Sequence, residues 1–264
     1  MLKRWIPQLF LSKEEESIKA YANELVKIRN GKEDYETCLK NMHTRPYYGA
    51  MMIKLKDVDS AVGGLIYSTA DILRAAFKCI GAKPGIKTIS SVIVMHKDDE
   101  QLIFTDPSTV QKPNAEQLVD IATNAISFAN MMNMNSLGAF LTYSTNNSGK
   151  GENPDLVREA AKIATERGLN VINGEMQFDS AYDLNVRKAK FPSAVQKETG
   201  VFIFPNLESC NIGCKIAQRM GKYGAVGAIL QGINGAINDF SRGATVADVI
   251  DVTSITILNG YTFK

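Results

Sequence analysis

The chain has 264 residues, of which 45% are hydrophobic and 22% charged, and its formal net charge is +2 at pH 7. These values are typical of a soluble globular protein with one large or two smaller domains, and the near-neutral charge argues against nucleic-acid binding. No apolar run is long enough to span a membrane. Pro7 and Gln8 interrupt the apolar stretch at the start, so we do not interpret it as a signal peptide and expect a cytoplasmic protein.

Caps, glycines and apolar periodicity predict alternating helices and strands. In chain order they are a helix over 12–31, a strand near 51–55, a helix over 68–81, strands over 86–95 and 102–105, a helix over 114–133, a strand over 136–143, a helix over 153–168, and strands over 201–204 and 225–231 separated by a helix. Signals for hairpin turns between short strands are missing. The pattern therefore favours an α/β fold with largely parallel strands.

Two polar features have simple alternatives to a functional role. The loop over 144–153 looks flexible and resembles a phosphate-binding loop. It lacks the first glycine of that motif, and it has Gly151 where a Ser or Thr would bind magnesium. We therefore reject nucleoside-triphosphate binding. The cysteines have no metal-ligand spacing with the two histidines, and we expect reduced, buried thiols at the four positions Cys38, Cys79, Cys210 and Cys214.

The segment over 238–248 is the most informative part of the chain. Thr245 and Asp248 form a predicted capping box, with an acid three residues after the N-cap, in front of the apolar run over 249–258. A loop with Ser241 and Arg242 therefore leads into a helix N-terminus, where backbone N–H groups and a guanidinium would favour an anion. The alternative is that Asp248 only stabilises its helix.

Two upstream arginines are ambiguous from the sequence alone. Arg29 continues the apolar stripe of the first predicted helix, so it either extends into solvent near the helix C-terminus or points into a cleft at an anion. Arg74 lies on the polar side of the helix over 68–81 and alone carries no hypothesis.

Together these residues resemble the phosphate acetyltransferase family, from about Tyr21 to the C-terminus. Any one matching block is a weak signal, and their order and number make the resemblance specific. The blocks are 27–32 (KIRNGK), 48–52 (YGAMM), 68–74 (STADILR), 83–85 (KPG), 174–179 (GEMQFD), 204–207 (FPNL), 211–213 (NIG) and 238–243 (NDFSRG) with Asp248.

The resemblance implies reversible acetyl transfer between coenzyme A and phosphate, as in acetate metabolism, with coenzyme A as a substrate and no permanently bound cofactor or metal. It implies two α/β/α domains of the isocitrate/isopropylmalate dehydrogenase type, an active cleft between them, and a homodimer. The expected domains are 1–87 and 236–264 for the first and 88–235 for an inserted second.

Carried over by motif, Arg29, Arg74 and Arg242 correspond to arginines that bind phosphate and coenzyme A. Ser241 corresponds to the residue that stabilises the transition state, and Asp248 to the base that takes the proton of the coenzyme A thiol. No membrane or nucleic-acid partner is expected.

Two departures from the family pattern stand out. The family begins with further strand–helix units before the position of Tyr21, so the first domain is expected to be shortened at its N-terminus. The family's Ala-Asp-Gly-Met-Val-Ser-Gly segment is here 58–64 (VDSAVGG), in which Gly63 stands at the position of the family's serine.

Three other functions stay open. Phosphate butyryltransferase shares the fold, although Arg74 and the Ser241–Arg242–Gly243 block favour the acetyl enzyme. A catalytically weakened protein that binds coenzyme A or acyl phosphate is the second. A nicotinamide-dependent decarboxylating dehydrogenase is the third, but it would need a cluster of aspartates that the sequence does not show.

Overall fold

The structure is a computed structural model that describes residues 15–64, 66–240 and 243–263. These residues form two compact units, one made of the residues up to Pro84 together with those from Ile233, and the other of Gly85–Gly232. None of the helices in the described ranges is both long and apolar enough to cross a bilayer.

The described residues form ten helices and eight strands. The helices are α1 (Glu15–Arg29), α2 (Tyr35–Met42), α3 (Arg45–Lys54), α4 (Thr69–Cys79), α5 (Ala115–Met131), α6 (Glu152–Glu166), α7 (Phe178–Tyr182), α8 (Leu184–Lys190), α9 (Leu207–Arg219) and α10 (Val246–Tyr261). The strands are β1 (Ser60–Gly64), β2 (Ser90–Lys97), β3 (Glu100–Thr105), β4 (Gly138–Leu141), β5 (Val171–Met176), β6 (Val201–Ile203), β7 (Gly224–Gln231) and β8 (Ala236–Phe240).

The first unit has a two-stranded parallel sheet of β1 and β8. Helices α3, α4 and α10 pack against these strands, and α1 packs on α2, α3 and α4. The predicted inner face of α1 is confirmed, because Ile18, Ala22 and Leu25 are fully buried. Strands β1 and β8 come from segments far apart in the chain, and each is followed by a helix of the same unit.

The second unit has a six-stranded sheet in the order β5-β4-β6-β3-β2-β7. Strands β5, β4, β6 and β3 are parallel, which confirms the α/β fold with largely parallel strands. Strand β2 is antiparallel to both of its neighbours. The inferred lack of hairpins was therefore wrong at one place: Asp98 and Asp99 connect β2 to β3, and Asp98 has the positive φ of 52° that tight hairpin turns use.

Three other expectations were wrong. The run over 51–55 is the end of helix α3, with Leu55 as its C-cap, and not a strand. Pro46 occupies a first-turn position, and the helix is buried on nearly all sides, so its sequence shows no 3.6-residue period. Apolar residues at 72, 73, 76, 77 and 80 predict a buried face of α4 that includes Phe77, but Phe77 is exposed. Helix α6 begins after Gly151 rather than at Asn153.

The loop over 144–151 is also not the free segment that its composition suggests. Glu175, which is only 2% exposed, accepts hydrogen bonds from the Ser144 hydroxyl and the Asn147 N–H, each at 2.8 Å. The Arg158 Nε lies 3.2 Å from the same carboxylate. Burial acts to raise the pKa of Glu175, but these contacts outweigh it and hold the pKa below its usual value.

Candidate functional site

The candidate site of the first unit lies where β1 and β8 end. The two strands run parallel, with Gly63 opposite Asp239 and Gly64 opposite Phe240, so both carboxyl ends lie at one edge of the sheet. Helices α4 and α10 begin a few residues beyond these ends. Two helix N-termini therefore follow neighbouring parallel strands, which is where α/β proteins commonly bind anionic ligands.

Close backbone approach fixes the register of these strands. Gly64 has a φ of 109°, and a β-carbon there would lie 2.5 Å from the carbonyl oxygen of Phe240 and 2.6 Å from its nitrogen. Any larger residue at Gly64 would push β8 away. Glycine is thus required for the two helix N-termini to lie at the same edge.

A buried carboxylate joins α4 to β8. The Thr69 hydroxyl, in the first turn of α4, donates to Asp239 Oδ2 at 2.6 Å. Burial raises the pKa of Asp239, while the Thr69 hydrogen bond acts in the opposite direction. Asp239 lies two residues before Ser241, so this contact orients the start of the segment with the predicted catalytic residues. Sequence reasoning did not assign Asp239 a role, although it belongs to the NDFSRG block.

Ser241 and Arg242 themselves lie outside the described residues. Downstream of them, the predicted capping box is present: the Thr245 hydroxyl accepts from the Asp248 N–H at 3.2 Å, and Asp248 Oδ2 accepts from the Thr245 N–H at 2.7 Å. Asp248 Oδ2 also accepts from the Thr245 hydroxyl at 2.8 Å. No residue of the described part donates to the other oxygen of Asp248, Oδ1.

Arg74 is exposed, as predicted, on the outer side of α4. Its Nη1 lies 3.0 Å from Asp71 Oδ1, within one helical turn. Asp71 also forms the capping box with Ser68. Hydrogen bonds from the Ser68 hydroxyl and N–H are the main cause of the lowered pKa of Asp71, and Arg74 contributes less. An exposed ion pair of this kind is weak, so Arg74 can exchange Asp71 for another anion.

The simpler sequence interpretation, in which Arg29 extends into solvent, is wrong. Arg29 is 18% exposed, and its Nε lies 3.5 Å from Oε1 of Glu33, which is 11% exposed. The same Glu33 oxygen lies 2.5 Å from Lys78 Nζ. Glu33 and Lys78 were not predicted from the sequence. The available signal was that Lys78 follows Arg74 by four residues, which places both on one side of α4.

The structure therefore groups the predicted residues in two places. Arg29 and Lys78 share a carboxylate, and Arg74 lies one turn along α4 from Lys78. Asp248 is at the start of α10, and its carboxylate is hydrogen-bonded to Thr245 rather than to Arg29 or Arg74.

Thiol and metal chemistry find little support in the described residues. The four cysteines are free and buried, which confirms that prediction. Within the described ranges, no group of three or more His, Cys, Asp and Glu residues is arranged to hold a metal ion.

Comparison with known proteins gives consistent matches over nearly the whole chain. Residues 7–257 match the family model described as phosphate acetyl/butaryl transferase. A phosphate acetyltransferase of Mycoplasma capricolum is 42% identical over 247 residues, which cover 92% of this chain and 77% of the relative. One from Bacillus subtilis is 38% identical over 233 residues, covering 88% and 72%.

A solved structure agrees with these matches. A phosphotransacetylase from Streptococcus pyogenes superimposes with a TM-score of 0.88 at 36% identity, covering 93% of this chain and 76% of that protein.

Proposed function

The chain belongs to the phosphate acetyl/butaryl transferase family, and from this premise we propose that it catalyses reversible acetyl transfer between coenzyme A and phosphate. The single observation that carries the reaction is the match over residues 7–257 together with relatives named phosphate acetyltransferase. The chain is thus an acyltransferase, with acetyl-CoA, phosphate and acetyl phosphate as its substrates.

In the direction of acetyl-CoA synthesis, Asp248 takes the proton of the coenzyme A thiol through Oδ1. The sulfur attacks the carbonyl carbon of acetyl phosphate, so that a C–S bond forms. Ser241 stabilises the charge that develops on the carbonyl oxygen. The C–O bond to phosphate then breaks, phosphate leaves with the electron pair, and the proton held by Asp248 passes to it, which restores the carboxylate.

Cationic side chains have two tasks in this reaction. They hold the phosphate groups of the substrates, and they stabilise the charge of the departing phosphate. We assign Arg242, Arg29 and Arg74 to these tasks. The half-engaged guanidinium of Arg29 and the exposed, weakly paired Arg74 support the assignment.

The reaction is tested by phosphate-dependent release of coenzyme A from acetyl-CoA, with butyryl-CoA as the matched comparison. We expect turnover with acetyl-CoA and a much lower kcat/KM with butyryl-CoA. Equal or higher kcat/KM with butyryl-CoA would identify the butyryl enzyme instead. Binding of coenzyme A without any phosphate-dependent release would identify a binding protein.

We also propose that the second unit is the inserted domain of the family. The division of the chain after Pro84 and after Gly232 supports this, and each division falls three residues before the boundary expected from the sequence. The reaction needs no permanently bound cofactor, and the proposed location is the cytoplasm.

We further propose a homodimer formed through α9. Ile212 and Ile216 follow each other by one turn on α9 and are 51% and 53% exposed. Glu208 precedes them by one turn in the first turn of the helix, and Arg219 follows in its last turn. This face is acidic at one end and basic at the other. An antiparallel copy of α9 would complement both its apolar and its charged parts.

A further inference from the structure

Glu33 balances two cations with one carboxylate. Its Oε1 lies 2.5 Å from Lys78 Nζ and 3.5 Å from Arg29 Nε, and its Oε2 is 3.5 Å from Asn41 Nδ2. The side chains of Glu33, Arg29 and Lys78 are 11%, 18% and 26% exposed. The group therefore has one positive charge in excess, in surroundings where screening by water is weaker than at the open surface.

The two cations are engaged to different degrees. Lys78 contacts Glu33 closely, and this hydrogen bond raises the pKa of the Lys78 amine despite its burial. The Arg29 side chain donates no hydrogen bond to any residue in the described ranges, and its buried Nε makes only the 3.5 Å ionic contact with Glu33. A guanidinium has five N–H donors, so most of the binding capacity of Arg29 is unused.

We propose that Glu33 is an internal counterion that competes with a phosphate-bearing substrate for Arg29, and that Lys78 retains Glu33 when Arg29 turns to the substrate. The inference rests on the proposed function in one respect, that Arg29 binds a phosphate group. The longer contact, Arg29 to Glu33, is the one that breaks. Because the Lys78 contact stays, no buried carboxylate is left unpaired, which would be costly.

Substitutions of Glu33 and Lys78 should change ligand affinity in opposite directions. Glu33→Gln removes the competing charge, so we expect about three- to tenfold tighter binding of the phosphate-bearing ligand. Lys78→Met leaves Glu33 with Arg29 as its only cation, and we expect binding to weaken by a similar factor of about three to ten. In the Glu33→Gln background, Lys78→Met should have a much smaller effect, because there is no carboxylate left to release.

The experiment measures dissociation constants by calorimetry with two probes, coenzyme A and inorganic phosphate. The variants are Glu33→Gln, Lys78→Met and the double variant, each also checked by its thermal midpoint. A matched control pair exists on α1, where Lys27 Nζ lies 2.6 Å from Glu24 Oε1 at the exposed surface. Glu24→Gln and Lys27→Met should leave both dissociation constants unchanged.

A test in an Arg29→Gln background distinguishes the counterion role of Glu33 from a purely structural role. With Arg29→Gln, the gain from Glu33→Gln should disappear, whereas a structural effect would persist. If Glu33→Gln does not fold, Lys78→Met decides alone, because it must weaken binding. The proposal is overturned if neither probe shows the expected order of affinities.

The outcome is independent of turnover. If phosphate-dependent release of coenzyme A is absent while the order of affinities holds, the proposed reaction fails and the counterion stands. If release is normal and the affinities do not change, the counterion fails and the reaction stands.

Discussion

Asp248 uses its two carboxylate oxygens differently, so its role as a helix cap is compatible with the proposed role as a base. Oδ2 is occupied by the N–H and hydroxyl of Thr245. No donor from the described part of the chain reaches Oδ1. The capping contacts therefore fix the carboxylate in one orientation, which is what a base at a defined distance from a thiol requires.

Replacing the acid by its amide tests the base without removing the cap. In Asp248→Asn the side-chain oxygen can still accept from Thr245, but the residue can no longer take a proton. We expect kcat to fall by about 10²- to 10⁴-fold, with little change in KM or in the thermal midpoint. The control is Asp251→Asn, an exposed acid of the same helix. A kcat near that of the unmodified enzyme would remove the assignment.

At the scale of elements, the sequence predicts what local chemistry determines. The caps of α4, α5 and α10 were identified because a capping box is a contact between residues three apart. Strands β1 and β8 were missed because they are short, glycine-containing or flanked by polar residues. The paired positions are more than 170 residues apart in the chain, so no local sequence pattern indicates the pairing.

The candidate site shows the same limit. The motif blocks point to Asp248 and Arg74 as candidates from the sequence alone. Glu33 looked like one more acid in the charged stretch KEDYE, because only the packing of α1 on α4 brings it to Lys78. Glu175 likewise gained a role only when β5 was placed beside β4.

Glu175 should control the order of the 144–151 loop. Glu175→Gln removes the charge that holds Ser144 and the Asn147 N–H, and we expect a loss of about 1–3 kcal/mol in local stability. Amide hydrogen exchange at Asn147 and Gly149 should accelerate accordingly. The exposed Glu159→Gln is the control. Unchanged exchange in Glu175→Gln would show that the loop is held by other contacts.

The pH dependence of this loop has a defined sign. Because the folded pKa of Glu175 is lowered, its ionised form stabilises the fold above the unfolded value of about 4.3, and this stabilisation is lost as pH falls through the folded pKa. Protection of the loop should therefore decrease on acidification below about pH 4.3. In Glu175→Gln that contribution to the pH dependence should be absent.

At the scale of the whole molecule, α9 alone would make only a small part of the proposed dimer interface. Thirteen residues make a helix about 20 Å long, whereas stable interfaces bury about 800 Å² per partner. The rings of Phe178 and Tyr182 on α7, which lies in the same unit as α9, are 45% and 44% exposed and would add apolar area to such an interface. An isologous dimer would use both helices twice.

Charge reversal tests the antiparallel arrangement. Glu208→Arg would face Arg219 of the partner subunit with a like charge, and Arg219→Glu would do the same for Glu208. We expect either single variant to shift the dimer toward monomer in sedimentation velocity, and the double variant to restore it, because the pair is exchanged as a whole. Ile216→Asp should dissociate the dimer without rescue. A dimer that none of these changes affects would place the partner surface elsewhere, and a monomeric unmodified protein would overturn the proposed dimer.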